Sequence, residues 1–269
     1  MTRIETYVFF DLETTGLPKE ERNRTKITDL CFIATSRNDI ESTKHGDTPP
    51  VCKLCLLFNP EKEVNPKAAS ITGLTREYLK NCCTFSEKIN TIIAFLNDLK
   101  KPICLIAHNG NCFDFKILLM EFASAGRSLP EDLLCVDSLI GFRKLLKGTQ
   151  INYIKLKTQD NDIITDDEDE SWPALNISNS DWNEIDNLST SLCKMSFENT
   201  KSSSPSQKES FNLSDIYKRL LNKKVTDAHR AEVDCFMLLE SVVAIKHLFL
   251  PWADVNFRNL NEIVPFKPY

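Results

Sequence analysis

Apolar residues form a short run at positions 7–10, and the run ends in two carboxylates, Asp11 and Glu13. Side chains of a β-strand alternate between its two faces, so a strand through this stretch puts both carboxylates on one side. Gly16 and Pro18 follow closely and are expected to end the strand. The pattern predicts a first strand that presents a pair of acidic side chains on one face of a sheet.

The apolar pattern continues as two further predicted strands, over residues 26–37 and 51–58, with a polar link at 38–50 between them. Three successive strands of this kind are expected to form an antiparallel meander. A helical turn is predicted next at 66–72, closed by Gly73. The pattern Thr84-Phe-Ser-Glu87 then resembles a capping box, and it precedes apolar positions at helical spacing: Ile89, Ile92, Ile93, Leu96 and Leu99.

Strands and helices alternate in the next part of the chain. Strands are predicted at 103–107 and 133–136, and helices at 114–125 and 137–146. A helix at 211–221 and a long helix opening at Asp227 complete the pattern, the latter with an apolar face made of Cys235, Leu238, Leu239, Val242 and Ile245. This order predicts an α/β fold in which a mixed, five-stranded sheet is flanked by helices.

Residues 150–208 differ from the rest of the chain, because they are rich in Ser, Asn and Asp and have weak periodicity. We therefore predict one domain made of residues 1–149 and 209–269, with 150–208 as a flexible acidic insertion. Residues 159–210 hold twelve acids and three lysines, which gives this segment a net charge of −9. The net charge of the whole chain is −5, so the remaining residues together carry +4. A mildly basic body is compatible with a ligand that carries phosphates.

The composition of the chain argues against a secreted, a zinc-binding or a membrane protein. The ten cysteines are scattered through 269 residues, and no signal-peptide pattern is found at the start. We therefore expect a reducing compartment, the cytoplasm and/or the nucleus, with the cysteines mostly as small core residues of a protein that is not secreted. Cys52 and Cys55 would be half of a zinc site, but no second pair has matching spacing. No apolar run approaches the roughly 20 residues of a membrane helix, so no membrane contact is expected.

Acidic side chains recur beside predicted turns and helix starts at three separated places: Asp11 with Glu13, Asp114, and His229 with Asp234. Taken singly, each has an ordinary explanation as a solvated acid, a helix N-terminal acid or a surface histidine. Together they suit a two-metal phosphodiesterase, in which two divalent ions about 4 Å apart clamp the scissile phosphate. A histidine, with an unperturbed pKa near 6.5, can accept the proton of the attacking water.

These segments resemble the motifs of a known enzyme family. Phe10-Asp-Leu-Glu-Thr-Thr-Gly-Leu-Pro18, Ala107-His-Asn-Gly-Asn-Cys-Phe-Asp-Phe115 and His229-Arg-Ala-Glu-Val-Asp234 resemble the three motifs of the DEDDh exonucleases, which have a DnaQ-like, ribonuclease-H-like fold. Segments at 68–74, 135–138, 210–220 and 264–269 resemble the three-prime repair exonucleases, the TREX family, in particular. The resemblance covers about 1–148 and 209–269.

The resemblance implies specific roles for the motif residues. Asp11, Glu13, Asp114 and Asp234 would hold two Mg²⁺ ions, with Mn²⁺ as a substitute, and His229 would be the catalytic base. Substrate would contact Glu13, Thr14, Leu17, Ile71, Phe113, His229 and Asp234.

Within that substrate set, the resemblance implies that Leu17 and Ile71 wedge and stack the terminal base and that Thr14 touches the 3′ nucleotide. Phe113 stands where the family usually has tyrosine, so stacking on a base is kept but the hydroxyl contact to phosphate is lost. Cys112 stands where some relatives carry an arginine that contacts a second strand.

The expected activity is therefore metal-dependent 3′→5′ hydrolysis of DNA that releases nucleoside 5′-monophosphates. The expected substrate is DNA with a free single-stranded or frayed 3′ end, and the expected process is DNA repair or degradation. The resemblance also implies a homodimer, and the partner of the acidic insertion is unknown. A 3′→5′ RNA exonuclease of the same superfamily remains open, because the five catalytic residues do not distinguish DNA from RNA. A nucleic-acid-binding module without activity is the third reading, although no motif residue is missing.

Overall fold

The protein is described by a computed structural model that covers residues 2–159, 209–225 and 229–267. The predicted acidic insertion therefore lies outside the described residues from position 160 onwards. Its first ten residues are described, and they contain a helix that packs onto the domain.

A mixed sheet forms the centre of the fold, with strand order β3-β2-β1-β4-β5-β6. The first three strands form the antiparallel meander expected from the sequence, while β4 and β5 run parallel to β1 and β6 is antiparallel to β5. The predicted α/β class is confirmed, with one strand more than the five expected, because β6 has only two residues and leaves no periodic signal. The strands are Thr6–Thr14, Ile27–Ser36, Cys52–Leu57, Ile103–Ala107, Leu134–Asp137 and Arg258–Asn259.

Helices flank the sheet, numbered here in the order of the described chain. They are α1 Arg37–Ser42, α2 Pro66–Thr72, α3 Arg76–Leu79, α4 Phe85–Asn97, α5 Asp114–Ser124, α6 Ser138–Leu146, α7 Tyr153–Gln159, α8 Leu213–Leu221, α9 Ala231–Ala244 and α10 Lys246–Asn256, with a 3-10 turn at Leu260–Glu262.

Several local signals act as the sequence predicts. Gly73 ends α2 in the left-handed conformation at φ 73°, which favours glycine because it has no Cβ. Thr84 and Glu87 form the capping box at the start of α4. Helix α1, in contrast, occupies part of the predicted polar link, and it is capped by Ser36, whose Oγ accepts from the Asp39 N–H at 3.1 Å.

The long helix expected from Asp227 onwards is shorter than predicted. It begins only at Ala231, ends at Ala244, and is followed by the separate helix α10. Its predicted apolar face is nevertheless correct, because Cys235, Leu238, Leu239, Val242 and Ile245 are all buried.

Two apolar cores lie on opposite faces of the sheet. Tyr7 and Phe9 of β1 belong to the core that contains α6, α8, α9 and α10, whereas Val8 and Phe10 belong to the core that contains α4 and α5. The period-two alternation of β1 is thus fixed by burial on both faces. A shift of one residue would exchange every side chain of this strand between the two cores.

The cysteines depart in two respects from the expectation that they are reduced and mostly small core residues. Cys52 and Cys83 are exposed, and Cys82 and Cys112 are only half-buried. Cys31 of β2 and Cys55 of β3 are direct partners in the antiparallel ladder, with Cα atoms 4.1 Å apart, and they are joined by a disulfide. The expectation is wrong for this pair, because the strand register, which the sequence does not reveal, sets the two side chains opposite each other. Cys104, Cys135 and Cys235 are free and buried, as expected.

Helix α7 closes the described part of the chain before position 160. Leu156 is 5% exposed and joins the core that contains α8. The Arg219 guanidinium of α8 donates to the carbonyls of Leu146 and Ile151, each at 3.0 Å, so it fixes the segment that leads into α7. Within the described ranges, no helix has the length and apolar character needed to cross a membrane.

Candidate active site

The two carboxylates of β1 point toward α9. Asp11 and Glu13 have the same parity as Tyr7 and Phe9, whose side chains pack in the core on the α9 side of the sheet. The packing of the preceding residues therefore determines where the carboxylates project. Both carboxylates are half-buried, so they are partly removed from water but are not sealed in the core.

Asp114 reaches the same edge of the sheet from the neighbouring strand. β4 is parallel to β1, so the loop at 108–113 leaves the sheet beside the end of β1, and Asp114 is the first residue of α5. Its side chain is 3% exposed, and the backbone N–H groups of Leu12 and of Asp114 itself donate to the carboxylate. Asp114 is thus bound to the backbone of the strand that carries Asp11 and Glu13.

Asp234 and His229 come from the start of α9. Asp234 lies in the first turn, and its Oδ2 accepts the backbone N–H of His229 at 3.1 Å. The predicted helix start is wrong here, because His229 precedes α9 and has φ 73°, a left-handed backbone conformation that non-glycine residues rarely adopt. One ligand atom each from Glu13, His229 and Asp234 lie within 4.8 Å of one another.

The surroundings of the cluster disfavour the charged forms of its carboxylates. Burial, with the charges of Asp114 and Asp234 adding to it, holds the pKa of Asp11 well above its usual range. Burial raises the pKa of Glu13 to about 8, and the charge of Asp234 contributes. Burial also raises the pKa of Asp114 and of Asp234. Partly desolvated carboxylates that repel one another are stabilised by a cation between them.

The donor set fits a hard divalent cation. The ligands on offer are carboxylate oxygens from Asp11, Glu13, Asp114 and Asp234, and oxygen-rich sites of this kind suit Mg²⁺ or Mn²⁺. The cluster includes no cysteine, so a soft-metal site is not indicated. The N-termini of α5 and α9, which carry Asp114 and Asp234 in their first turns, also favour negative charge at this point.

The segments that carry Leu17 and Ile71 contact each other beside the cluster. The N–H of Asn65, the N-cap of α2, donates to the Thr15 carbonyl at 2.7 Å, which joins α2 to the turn after β1. Ile71, near the end of α2, is 56% exposed, and Leu17 is half-buried. An apolar side chain as exposed as Ile71 is available to a ligand, as its predicted role requires.

The side chains of Thr14 and Phe113 are less exposed to solvent than that of Ile71. Thr14 is 7% exposed, and its hydroxyl donates to the Gly16 carbonyl at 3.0 Å within the turn. Phe113 occupies the N-cap position of α5 and is half-buried against the core formed by α4 and α5. Any contact of Phe113 with a base would use the part of its ring that is not packed.

Two buried acids at this edge were missed by the sequence analysis. Asp29, paired with Glu13 in the β1–β2 ladder, is 5% exposed and lies 3.3 Å from the Arg230 guanidinium. It also accepts the Ala231 N–H, so it anchors the segment that holds His229. The feature of the sequence that could have indicated Asp29 is an acidic residue within a mainly apolar predicted strand. Asp137, at the end of β5, accepts hydrogen bonds from the loop that precedes Asp114.

We expect the metal-free protein to lose stability as the pH rises from about 5 to about 8. Glu13 binds a proton more tightly in the folded state, because burial raises its pKa to about 8. The free energy of unfolding therefore falls as the pH rises through this window, since the folded state must give up protons that it binds better than the unfolded chain.

Thermal melts in EDTA across this pH range would measure the loss. Glu13→Gln should weaken the pH dependence, and Mg²⁺ should raise Tm most at the alkaline end. A Tm in EDTA that is unchanged or rises with pH, in both proteins, would contradict the proposed electrostatics.

Comparison with known proteins shows the family to which the chain belongs. Residues 8–160 match the protein family described as "Exonuclease". The chain is 40% identical to human three prime repair exonuclease 2 over 152 residues, which cover 53% of this chain and 63% of that protein. The chain thus spans less than two thirds of that relative. It is 28% identical to human three-prime repair exonuclease 1 over 278 residues, covering 97% of this chain and 70% of the relative.

Solved structures share the fold. Escherichia coli exonuclease I in a complex with single-stranded DNA aligns with a TM-score of 0.57 at 16% identity, over 91% of this chain and 41% of that one. Cell-death related nuclease 4 aligns with a TM-score of 0.52 at 11% identity, over 91% of this chain and 64% of that one. The chain therefore belongs to the exonuclease family, and three-prime repair exonucleases are among its homologues.

Proposed function

We propose that this protein is a metal-dependent 3′→5′ DNA exonuclease that releases nucleoside 5′-monophosphates. The observation that carries the proposal is the convergence of Asp11, Glu13, Asp114 and Asp234, with their pKa values raised, on one edge of the sheet beside His229. Three-prime repair exonucleases, named for action at 3′ ends, are its homologues. The cofactor in this proposal is a pair of Mg²⁺ ions, which Mn²⁺ can replace.

The four carboxylates would hold the ions, which when bound lower the pKa of water and neutralise charge on the scissile phosphate. His229 would take the proton from the attacking water. Its exposure leaves the imidazole accessible to solvent and substrate, while its backbone N–H is fixed to Asp234. Glu13, His229 and Asp234 would also contact the terminal nucleotide, since their ligand atoms lie together.

A direct test uses 5′-labelled and 3′-labelled oligonucleotides of DNA and RNA, with Mg²⁺ and with excess EDTA. The expected result is stepwise shortening of DNA from the 3′ end, release of nucleoside 5′-monophosphates, and no reaction in EDTA. Faster degradation of RNA than of DNA would support the alternative of an RNA exonuclease. No cleavage of either polymer, together with retained binding, would support a module without activity.

We expect circular single-stranded DNA to resist cleavage, because a site that binds a terminal nucleotide needs a free 3′ end. Linearising the same circle provides the matched substrate, and digestion of the linear form alone confirms the polarity. Rapid nicking of the circle would instead assign an endonuclease.

Leu17 and Ile71 are proposed to hold the terminal base apart from its neighbour. Replacing both by alanine should raise KM for DNA roughly 10-fold, because removing two apolar contacts costs about 1.4 kcal/mol or more of binding. Val255→Ala, at an exposed apolar position on α10 (39% exposed), is the control and should leave KM unchanged. Steady-state kinetics on one oligonucleotide gives both values, and an unchanged KM in the double variant would remove these residues from the site.

The remaining proposals concern partners and compartment. We propose that DNA with a single-stranded or frayed 3′ end is the substrate, that the chain forms a homodimer, and that it acts in the cytoplasm and/or the nucleus in DNA repair or degradation. Light scattering at several concentrations measures the assembly, and a monomer mass throughout would refute the dimer.

A further inference from the structure

Asp137 is a buried carboxylate whose hydrogen bonds reach two different elements. It is 4% exposed and is both the last residue of β5 and the N-cap of α6. The Leu139 N–H donates to its Oδ1 at 3.0 Å, which is the ordinary capping bond. The Asn109 N–H donates to the same oxygen at 2.9 Å, and the Asn111 N–H donates to Oδ2 at 3.1 Å.

Capping alone does not account for this arrangement. A cap of α6 needs one oxygen, and a serine or threonine supplies it without burying a charge. Within the described ranges, no Lys or Arg forms an ion pair with Asp137. Burying a carboxylate costs free energy, which here is offset by hydrogen bonds from three backbone N–H groups, two of them outside α6.

The loop held by Asp137 is the one that leads into Asp114. The Gly110 carbonyl accepts the Phe115 N–H at 3.1 Å and the Phe113 N–H at 3.3 Å, so the bonded turn is joined directly to the start of α5. Gly110 sits so close to the core that a Cβ there would lie 2.7 Å from Ala107 Cβ and from the Phe115 ring. A displacement at Asn109 or Asn111 is therefore passed on to Asp114 rather than absorbed.

The residue after Asp137 strengthens the same attachment. Ser138 Oγ lies 3.0 Å from His108 Nδ1 in a hydrogen bond, and the other ring nitrogen of His108 lies 3.0 Å from the Phe211 carbonyl. His108, Asn109 and Asn111 are thus bound through two successive residues at the β5–α6 junction.

We propose that Asp137 is a positioning residue, which fixes the loop at 108–113 so that the Asp114 carboxylate reaches the metal ligands Asp11 and Glu13 of β1. The inference rests on the proposed function for the role of Asp114. The three hydrogen bonds that Asp137 accepts all come from backbone N–H groups, so in this proposal it acts through Asp114 and not on substrate.

The discriminating variant is Asp137→Ser. Serine keeps the cap of α6, because its hydroxyl can accept the Leu139 N–H, but it is too short and has one oxygen too few to hold Asn109 and Asn111 as well. The control is Asp254→Asn, at a largely buried carboxylate that binds Arg37 at 2.8 Å and takes no part in the cluster.

Calorimetric titration with Mn²⁺ alone gives a readout that does not depend on turnover. Asp137→Ser should bind Mn²⁺ about 10-fold more weakly, the size of effect seen when partners of metal ligands are removed. The concentration of Mg²⁺ for half-maximal DNA cleavage should rise similarly, with kcat about 10- to 100-fold lower and KM for DNA little changed. Asp254→Asn should lower Tm but leave both metal measurements at the wild-type value.

Each outcome has one meaning. If wild-type protein binds Mn²⁺ but cleaves no nucleic acid, the proposed function fails, while the titration still tests Asp137. If Asp137→Ser binds Mn²⁺ as the wild type does and loses only thermal stability, as Asp254→Asn does, then Asp137 is a helix cap and the inference is overturned.

Discussion

Replacing Asp114 by asparagine is expected to abolish nearly all DNA cleavage, with kcat lower by roughly 10³-fold or more, because metal ligands act as a unit. The same variant should be more heat-stable than the wild type in EDTA at about pH 8. Burial raises the pKa of Asp114, so the folded wild type at that pH carries a carboxylate charge in a place that disfavours it. Asparagine has the same shape and no charge, and a gain of about 1 kcal/mol would raise Tm by roughly 2–4 °C.

The control for Asp114→Asn addresses the simpler explanation of an acid that only complements the helix dipole. Asp215 lies in the first turn of α8, as Asp114 does in α5, but it is exposed. Asp215→Asn should keep full activity and lose at most about 1 kcal/mol of stability. If Asp114→Asn retains activity close to wild type, Asp114 is no ligand. If Asp114→Asn loses activity and is also less stable than the wild type in EDTA, then the charge of Asp114 is stabilised in the metal-free protein by a group other than a metal.

Replacing His229 by alanine is expected to lower kcat by about 10²- to 10⁴-fold, the contribution usual for a general base. DNA affinity should fall by much less than kcat, because only the contact of the imidazole is lost while the four carboxylates and the apolar contacts at Leu17 and Ile71 remain. Stability should also be nearly unchanged, since the imidazole is exposed and the contact to Asp234 uses the backbone N–H of position 229. Single-turnover cleavage and equilibrium binding in Ca²⁺, measured on one oligonucleotide, separate the two effects.

His247→Ala on α10 is the matched histidine control, because it also removes an exposed imidazole, and it should behave as the wild type. A fully active His229→Ala would show that another group accepts the proton of the water. A variant that has lost DNA binding instead would show that His229 holds the substrate and would leave its role as a base unproven.

The features that the sequence predicts correctly depend on local signals. The alternation of β1 placed Asp11 and Glu13 on one face, and the capping box at Thr84 placed the start of α4, because both depend on residues within one strand or one helical turn. The helix predicted at 211–221, observed at Leu213–Leu221, and the apolar face of α9 follow from spacing in the same way. The five residues proposed for catalysis were found from their motifs, and the structure brings them to one edge of the sheet.

Other features depend on which strands are neighbours, and only the tertiary structure decides that. The β2–β3 register pairs Cys31 with Cys55, and the β1–β2 register sets Asp29 beside Glu13, although neither pair is close in sequence. Asp29 accepts hydrogen bonds from Arg230 and Ala231, which are about 200 residues away in the chain. These bonds lie directly beside His229, which has a left-handed conformation, and at the start of α9. Asp137 looked like a helix start because its capping bond is local, whereas its bonds to Asn109 and Asn111 exist only because β4 and β5 lie side by side. The sequence by itself predicted several helices, most strands and the set of residues proposed for catalysis, since these follow from local periodicity and motif chemistry. The contacts that hold that set in place required the packed sheet, because burial and strand order give those buried acids their partners.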